Sequence, residues 1–125
     1  MMYADTDFIL ALIKEKDWLK DKAEHIFREH EKQIWTSSFV LQELLMIAKR
    51  DGFDAEKMVN QACVLIAIRP VELTPEMCRK AAFIMRKNEM TPFDSFHALA
   101  CGSDPIISSD KKYDLMGLKR IKLEE

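Results

Sequence analysis

The sequence alternates five short apolar runs with longer segments in which apolar residues recur at helical spacing. The runs lie at residues 2–4, 33–36, 68–73, 106–108 and 118–123. Parallel strands need a crossover connection between them, and that connection is usually a helix. The alternation therefore predicts an α/β fold, with a parallel sheet flanked by helices in a Rossmann-like three-layer arrangement. We expect residues 1–125 to form a single domain, because this length fits one compact core.

Capping residues and prolines predict where the helices begin. The clearest starts are two pairs in which a capping hydroxyl precedes a proline suited to the first helical position, Thr74–Pro75 and Thr91–Pro92. By the same reasoning, Thr6 or Asp7 caps the first helix, and Ser37 or Ser38 caps the helix after the second run. The last strand should lie at an edge of the sheet, and the third should be short or at an edge because Pro70 interrupts it.

Composition limits the classes of protein to which the chain can belong. Apolar residues make up 48% of the sequence, and no stretch approaches the roughly 20 apolar residues of a membrane span. The N-terminus also lacks the pattern of a secretory leader, so we expect a cytoplasmic protein with no membrane contact. The widely spaced cysteines Cys63, Cys78 and Cys101 are expected to be buried free thiols, not disulfides or zinc ligands.

The net charge of −2 argues on its face against a nucleic-acid partner. This argument fails if several carboxylates are gathered in one buried site. Four carboxylates set aside in this way would leave the rest of the surface mildly basic. Net charge therefore does not decide whether the chain binds nucleic acid.

Four carboxylates stand out because they follow strands or lie in helices near their starts. They are Asp5 after the first strand, Glu43 in the helix after the second, Asp94 in the first turn of a late helix and Asp110 after the fourth strand. In open parallel sheets the ligand sites lie past the carboxyl ends of strands, so we expect all four at one edge. As anions they would repel one another unless some are protonated or a cation lies between them. Oxygen ligands suit Mg²⁺ or Mn²⁺, which implies metal-dependent phosphoryl chemistry.

The motifs around these carboxylates resemble those of PIN domain nucleases, particularly the VapC-type toxins of prokaryotic toxin-antitoxin pairs. The resemblance rests on Asp5 with Thr6, on residues 36–38 leading to Glu43, and on residues 94–98 and 108–113. It covers nearly the whole chain, and the order and spacing of the motifs are more specific than any one of them. The resemblance implies a PIN-like domain whose acidic site, formed by the four carboxylates, cleaves single-stranded RNA to leave a 5′-phosphate and a 3′-hydroxyl.

The resemblance also assigns roles and partners. Asp5, Asp94 and Asp110 would hold Mg²⁺ or Mn²⁺ directly, while Glu43 would complete the shell through water or position the nucleophile. Two hydroxyls are candidates for hydrogen-bonding a phosphate or these carboxylates, against their simpler role as helix caps: Thr6 and Ser38. The partners implied are an RNA substrate, a small antitoxin protein that holds the enzyme inactive, and a second copy of the chain in a homodimer through the second and third helices.

The chain departs from the family pattern at two positions. Asp7 stands where the family more often has Asn or Ser, and Ser108 stands where Thr is commoner. Asp7 either supplies a fifth carboxylate or caps a helix. Asp114 competes with Asp110 for the fourth acidic role, although Asp110 is favoured because it follows the strand immediately. His97 lies one turn after Asp94, where it either faces the same cleft or serves a structural role.

Two other functions are compatible with parts of the sequence. Asp5, Thr6 and Asp7 match the Asp-x-Asp signature of haloacid-dehalogenase-like phosphatases, in which the first Asp is a covalent nucleophile and the second a general acid. That alternative leaves Glu43 and Asp94 without a role, and the chain is short for that fold. The other alternative is a non-catalytic binding module whose acidic residues only cap helices.

Overall fold

The computed structural model describes residues 1–125 and contains one five-stranded parallel sheet. Its strands are β1 (Met2–Ala4), β2 (Ile34–Ser37), β3 (Ala67–Arg69), β4 (Ile106–Ser108) and β5 (Arg120–Lys122). They lie in the order β3-β2-β1-β4-β5, and every neighbouring pair is parallel. All five predicted strands are present, and the third and the last lie at the edges of the sheet. The third is shorter than the predicted run 68–73, because it ends at Arg69, directly before Pro70.

Six α-helices connect the strands. They are α1 (Thr6–Ile13), α2 (Lys20–His30), α3 (Ser38–Asp51), α4 (Ala55–Leu65), α5 (Pro75–Asn88) and α6 (Pro92–Ala100). Two short 3₁₀ helices, Glu31–Gln33 and Lys111–Met116, precede β2 and β5. No helix combines the length and the apolar character needed to cross a membrane.

Neighbouring residues of the inner strands pack on opposite faces of the sheet, so the sheet lies between two hydrophobic cores. Ala4, Ile34 and Ile107 pack in the larger core, together with α1, α2, α3 and α4. Their strand neighbours Tyr3, Trp35 and Ile106 pack in a smaller core with α5, α6 and the second 3₁₀ helix. The three-layer α/β architecture predicted from the sequence is therefore confirmed.

The helix starts follow local chemistry. The hydroxyls of Thr74 and Thr91 accept hydrogen bonds from the backbone N–H groups of Met77 and Asp94, as the Thr-Pro pairs predict. The prediction for α1 was wrong, because its cap is Asp5, whose carboxylate accepts a hydrogen bond from the Thr6 N–H. Asp5 lies between the last residue of β1 and the first residue of α1, so its carboxylate is beside the first N–H group of the helix.

The other end of α1 is closed by a side chain from α2. The Lys20 ammonium donates hydrogen bonds to the carbonyls of Ala11, Leu12 and Lys14, at 2.7 to 3.2 Å. Carbonyls at a helix C-terminus have no partner within the helix and carry partial negative charge, so a cation stabilises them. Lys20 thus fixes the position of α2 against α1.

Several residues predicted to be buried are exposed. Only Cys101 is a buried thiol, whereas Cys63 and Cys78 face solvent. On α3, the inner face consists of Phe39, Val40, Leu44 and Ala48; the helical spacing of apolar residues predicts that Leu45 is buried with them, but it is 49% exposed. Helical periodicity identifies the apolar stripe, but it does not show where the flanking elements stop covering it.

Candidate active site

The candidate site lies where the order of strands changes direction. From β1 the chain passes outward through β2 to β3 and then returns to the other side of β1 to form β4. In open α/β sheets such a switch point leaves a crevice at the carboxyl ends of the strands, and ligands bind there. A cleft of about 350 Å³ occupies this position, and its lining includes Asp5, Thr6, Asp7, Glu43, Asp94, Ser109 and Asp110.

Asp5 is held rigidly at the end of β1. One carboxylate oxygen accepts the Thr6 N–H at 2.8 Å, and the other accepts the Ser108 hydroxyl at 2.6 Å. The Ser108 oxygen in turn accepts the backbone N–H of Asp110 at 3.0 Å. A single hydroxyl at the end of β4 therefore links Asp5 to the backbone that carries Asp110.

Glu43 reaches the cleft from the second turn of α3. Its Oε1 atom accepts a hydrogen bond from the Thr6 hydroxyl and lies 2.9 Å from Nε2 of His97. His97 projects from α6 and is fully buried. The ligand atoms of Asp5, Glu43 and His97 all lie within 4.8 Å of one another. The predicted meeting of Asp5 with Glu43 is thus seen in the structure, with a histidine added to it.

Asp94 and Asp110 line the same cleft from two further helix starts. Asp94 lies in the first turn of α6, and its carboxylate is 3.4 Å from the Tyr113 hydroxyl. Asp110 caps the second 3₁₀ helix by accepting the Lys112 N–H at 2.9 Å. Helix N-termini carry partial positive charge, which favours carboxylates at these positions. The competing residue Asp114 is not in the cleft and instead pairs with Arg120 at 3.0 Å.

Asp7 is a fifth carboxylate at the cleft. Its Oδ2 atom accepts hydrogen bonds from the N–H and the hydroxyl of Ser109, at 2.9 and 2.5 Å. Its Oδ1 atom is buried without any hydrogen-bond partner. The side chain therefore does not cap α1, which was one of its two predicted roles.

The carboxylates raise one another's pKa values. Burial, opposed by His97 and Ser108, raises the pKa of Asp5 to about 6, and the charges of Asp94 and Glu43 add to the rise. Burial and the charge of Asp5 raise the pKa of Asp7 to about 7. Burial and the charge of Asp110 also raise the pKa of Asp94. The cleft thus holds more negative charge than its surroundings stabilise.

The donor set fits a hard divalent cation. His97 lies within ion-pairing distance of two of the four predicted carboxylates, Asp5 and Glu43, and no lysine or arginine pairs with any of the four. Burial lowers the pKa of His97, but its hydrogen bond to Glu43 and the charges of the acidic residues outweigh this and raise it. Carboxylate oxygens that converge without enough positive charge are the ligands that Mg²⁺ and Mn²⁺ prefer. Asp5, Glu43, Asp94 and Asp110 could hold such an ion.

Ser38 is placed away from the cleft. Its hydroxyl accepts the Val71 N–H at 3.0 Å and so ties the start of α3 to the segment after β3. The residue is absent from the cleft lining, whereas the other predicted hydroxyl, Thr6, is part of it. At this position Ser38 makes a structural contact outside the lining of the cleft.

Two contributors to the site were not assigned roles from the sequence. Ser109 binds Asp7, and Tyr3 supports His97 through a 2.6 Å hydrogen bond between its hydroxyl and Nδ1. Ser109 directly precedes Asp110, so its position beside the acidic site was a usable signal. Tyr3 gave no signal, because an aromatic residue in a strand normally indicates only core packing.

Comparison with known proteins agrees with this geometry. The sequence matches the PIN domain family over residues 2–117. No curated protein sequence matches it. The fold is similar to that of the Mycobacterium tuberculosis toxin VapC20, which cleaves the sarcin-ricin loop, with a TM-score of 0.76, 18% identity, and coverage of 97% of this chain and 98% of that one.

Two more solved structures are similar to this chain. VapBC2 from Rickettsia felis, bound to a DNA fragment from its promoter, has a TM-score of 0.69 and 15% identity, with 98% of each chain covered. FitAcB from Neisseria gonorrhoeae has a TM-score of 0.68 and 11% identity, again with 98% of each chain covered. These identities are low, so the structures establish a shared fold, while the family match spans nearly the whole sequence. The chain belongs to the PIN domain family.

Proposed function

We propose that this protein is a metal-dependent endoribonuclease that hydrolyses phosphodiester bonds of single-stranded RNA in the cytoplasm, as the toxin of a VapBC-type pair. The observation that carries the proposal is the convergence of Asp5, Glu43, Asp94 and Asp110 in one cleft at the switch point of a PIN domain. These residues come from four separate elements. Helix capping alone explains Asp5 and Asp110, but it gives no reason for Glu43, in the second turn of α3, to join them.

The residues divide into those that hold the ion and those that position the reactants. Asp5, Asp94 and Asp110 hold Mg²⁺ or Mn²⁺, which when bound neutralises phosphate charge and lowers the pKa of a water molecule. Glu43 has one oxygen bound to Thr6 and His97, while its second oxygen has no protein partner. That free oxygen accepts a hydrogen bond from the attacking water and orients it toward the phosphorus.

Thr6 acts in this scheme through Glu43. Its hydroxyl donates to Glu43 and its backbone N–H donates to Asp5, so one residue fixes two of the four carboxylates. A second role in substrate binding remains a prediction for Thr6. For Ser38 we propose only the structural role that its contact with Val71 supports.

Family membership argues against the phosphatase alternative. That mechanism needs Asp7 as a general acid, but one oxygen of Asp7 is bound to Ser109 and the other is buried. It also leaves Glu43 and Asp94 unused, although both line the cleft. The non-catalytic binding module is the alternative that the cleavage assay must exclude.

The decisive assay is cleavage of a labelled single-stranded RNA by the pure protein with Mn²⁺ or Mg²⁺. We expect cleavage that is abolished by EDTA and by Asp94→Asn, with products that carry a 5′-phosphate and a 3′-hydroxyl. The matched control is Asp21→Asn, which makes the same change at an exposed position on α2. Cleavage that survives Asp94→Asn would exclude the proposed site. A protein that binds the ion but cleaves no RNA would support the binding module.

An antitoxin partner is proposed on the basis of the VapBC complexes that share this fold. An open groove of about 890 Å³ between α1 and α4 exposes Leu12, Ile13, Val64 and Leu65. Val64 is 85% exposed, so Val64→Glu should leave the fold intact while it disrupts an apolar contact. We expect this variant to cleave RNA but to lose inhibition by the antitoxin. Full inhibition of the variant would place the antitoxin elsewhere.

A homodimer through α2 and α3 also remains a proposal. Support comes from α3, which exposes Leu45 and Met46 at 49% and 60%. We expect light scattering to give a dimer for the native chain and a monomer for Met46→Glu. Lys49→Glu is the control, because it places the same carboxylate at an exposed polar position of α3. A monomeric native chain would contradict the proposal.

A further inference from the structure

His97 is a fully buried imidazole with a hydrogen-bond partner on each ring nitrogen. Its Nδ1 atom lies 2.6 Å from the Tyr3 hydroxyl, which is itself 2.7 Å from the hydroxyl of Ser37. Its Nε2 atom lies 2.9 Å from Oε1 of Glu43 and 3.1 Å from the Thr6 hydroxyl. A histidine that served only to fill the core would not need a carboxylate at this distance.

The direction of these hydrogen bonds follows from the groups themselves. Oε1 of Glu43 can only accept as a carboxylate, so Nε2 of His97 must carry the proton between them. This holds whether the ring is neutral or doubly protonated. Tyr3 accommodates both states, because its hydroxyl can donate to Nδ1 or accept from it. Glu43 therefore receives two hydrogen bonds on the same oxygen, one from Thr6 and one from His97.

We propose that His97, held by Tyr3, is a positioning residue that fixes the Glu43 carboxylate with Oε1 turned inward and the second oxygen free in the cleft. The proposal rests on the proposed nuclease function of the site. Side chains that orient a catalytic or metal-binding carboxylate are commonly worth 10–100-fold in activity or affinity. Glu43 needs such support, because it reaches the cleft from the second turn of α3 and accepts no hydrogen bond from a backbone N–H.

The first test uses ¹⁵N NMR of the imidazole nitrogens and needs no RNA. The chain has three histidines; His25 is exposed and His30 is partly exposed, whereas His97 is fully buried, so the His97 ring can be told from the other two. We expect Nε2 of His97 to carry its proton in the metal-free protein and to keep it at saturating Mg²⁺. Glu43→Gln should shift this signal. Loss of the Nε2 proton on addition of Mg²⁺ would make His97 a metal ligand and overturn the proposal.

The second test separates positioning from core packing. His97→Gln keeps an N–H donor near the place of Nε2, whereas His97→Leu fills the space without a donor. We expect kcat for RNA cleavage to fall by about 10–100-fold in His97→Leu, with KM little changed, and to be partly restored in His97→Gln. His25→Gln is the control at an exposed histidine. Equal kcat in the Leu and Gln variants would overturn the proposal.

The proposal can still be tested if His97→Leu does not fold or if the native protein cleaves no RNA. If His97→Leu does not fold, Tyr3→Phe removes only the hydroxyl that holds Nδ1, and it should lower kcat in the same direction. An unchanged kcat in folded Tyr3→Phe would refute the role of Tyr3 as the support of His97. If the native protein cleaves no RNA, the nuclease function fails, while the NMR experiment still shows whether His97 donates to Glu43.

Discussion

The buried carboxylate of Asp7 should make the metal-free protein less stable as the pH rises. Its Oδ1 atom has no hydrogen-bond partner, and burial with the charge of Asp5 raises its pKa from 3.8 to about 7. A carboxyl group with a raised pKa in the folded state prefers to fold protonated. Stability is therefore present below the unfolded-state pKa and is lost as the pH rises through the folded-state value. The perturbation that isolates this effect is Asp7→Asn, which cannot ionise.

The magnitude follows from the size of the shift. Each unit corresponds to about 1.4 kcal/mol, so a rise of this size disfavours the ionised folded state by about 4 kcal/mol as an upper limit. At pH 5 the Asp7 carboxyl is already ionised in the unfolded chain, so part of this stability has been lost at that pH. Between pH 5 and pH 8 we therefore expect the native protein to lose about 2 kcal/mol relative to Asp7→Asn. For a domain of this size that difference is worth roughly 6–10 °C in Tm.

The assay is urea denaturation of both proteins in EDTA at pH 5 and pH 8. The comparison between pH values cancels the fixed cost of the Asn amide, which leaves an N–H₂ group where Oδ1 has no partner. It also cancels the titration of groups that do not interact with Asp7. An identical stability difference at the two pH values would show that Asp7 titrates as an ordinary carboxyl group and would refute the reasoning.

Three further predictions test other parts of the structure. Saturating Mn²⁺ should raise the Tm of the native protein, because a hundredfold excess over Kd stabilises the folded state by about 2.7 kcal/mol. The rise in Tm should be much smaller in Asp5→Asn, and an equal rise in both proteins would place the ion elsewhere. Lys20→Met should lower the free energy of unfolding by about 1–2 kcal/mol, measured by urea denaturation, because three carbonyls at the end of α1 lose their donor. In the folded protein, a thiol reagent should label Cys63 and Cys78 but not Cys101, whose pKa burial raises to about 11; rapid labelling of all three would contradict its burial.

Much of the fold could be predicted because each element carries its own local signal. The Thr-Pro pairs determine the starts of α5 and α6 through the geometry of the cap and the fixed φ of proline. Pro70 cannot donate to a ladder, and β3 duly ends before it at an edge. The exposure of Cys63 and Cys78 could not be predicted in this way. Whether a helical residue is covered depends on how far its neighbours extend, which is a property of the assembled chain.

The acidic site was predictable as a set of residues but not as a network. Strand ends identify Asp5 and Asp110, because parallel topology brings them to one edge. The connections through Ser108, His97 and Tyr3 join residues up to 103 positions apart. Serine, histidine and tyrosine each have several ordinary structural uses, so a single sequence does not indicate which of them will meet. For the same reason, the sequence did not indicate that Ser38 would contact Val71.

The hydrogen bonds of the Ser108 hydroxyl make the cleft depend on two segments that lie far apart in the sequence. Asp5 lies at one end of the sequence, and its partner hydroxyl, together with Asp110, lies more than a hundred residues later. A shortened chain that stops before β4 would contain β1, β2 and β3, but it could not orient Asp5 and would lack Asp110. Such a fragment cannot carry the proposed activity, however well it folds. Copies of this protein that end before β4 therefore could not form the proposed site.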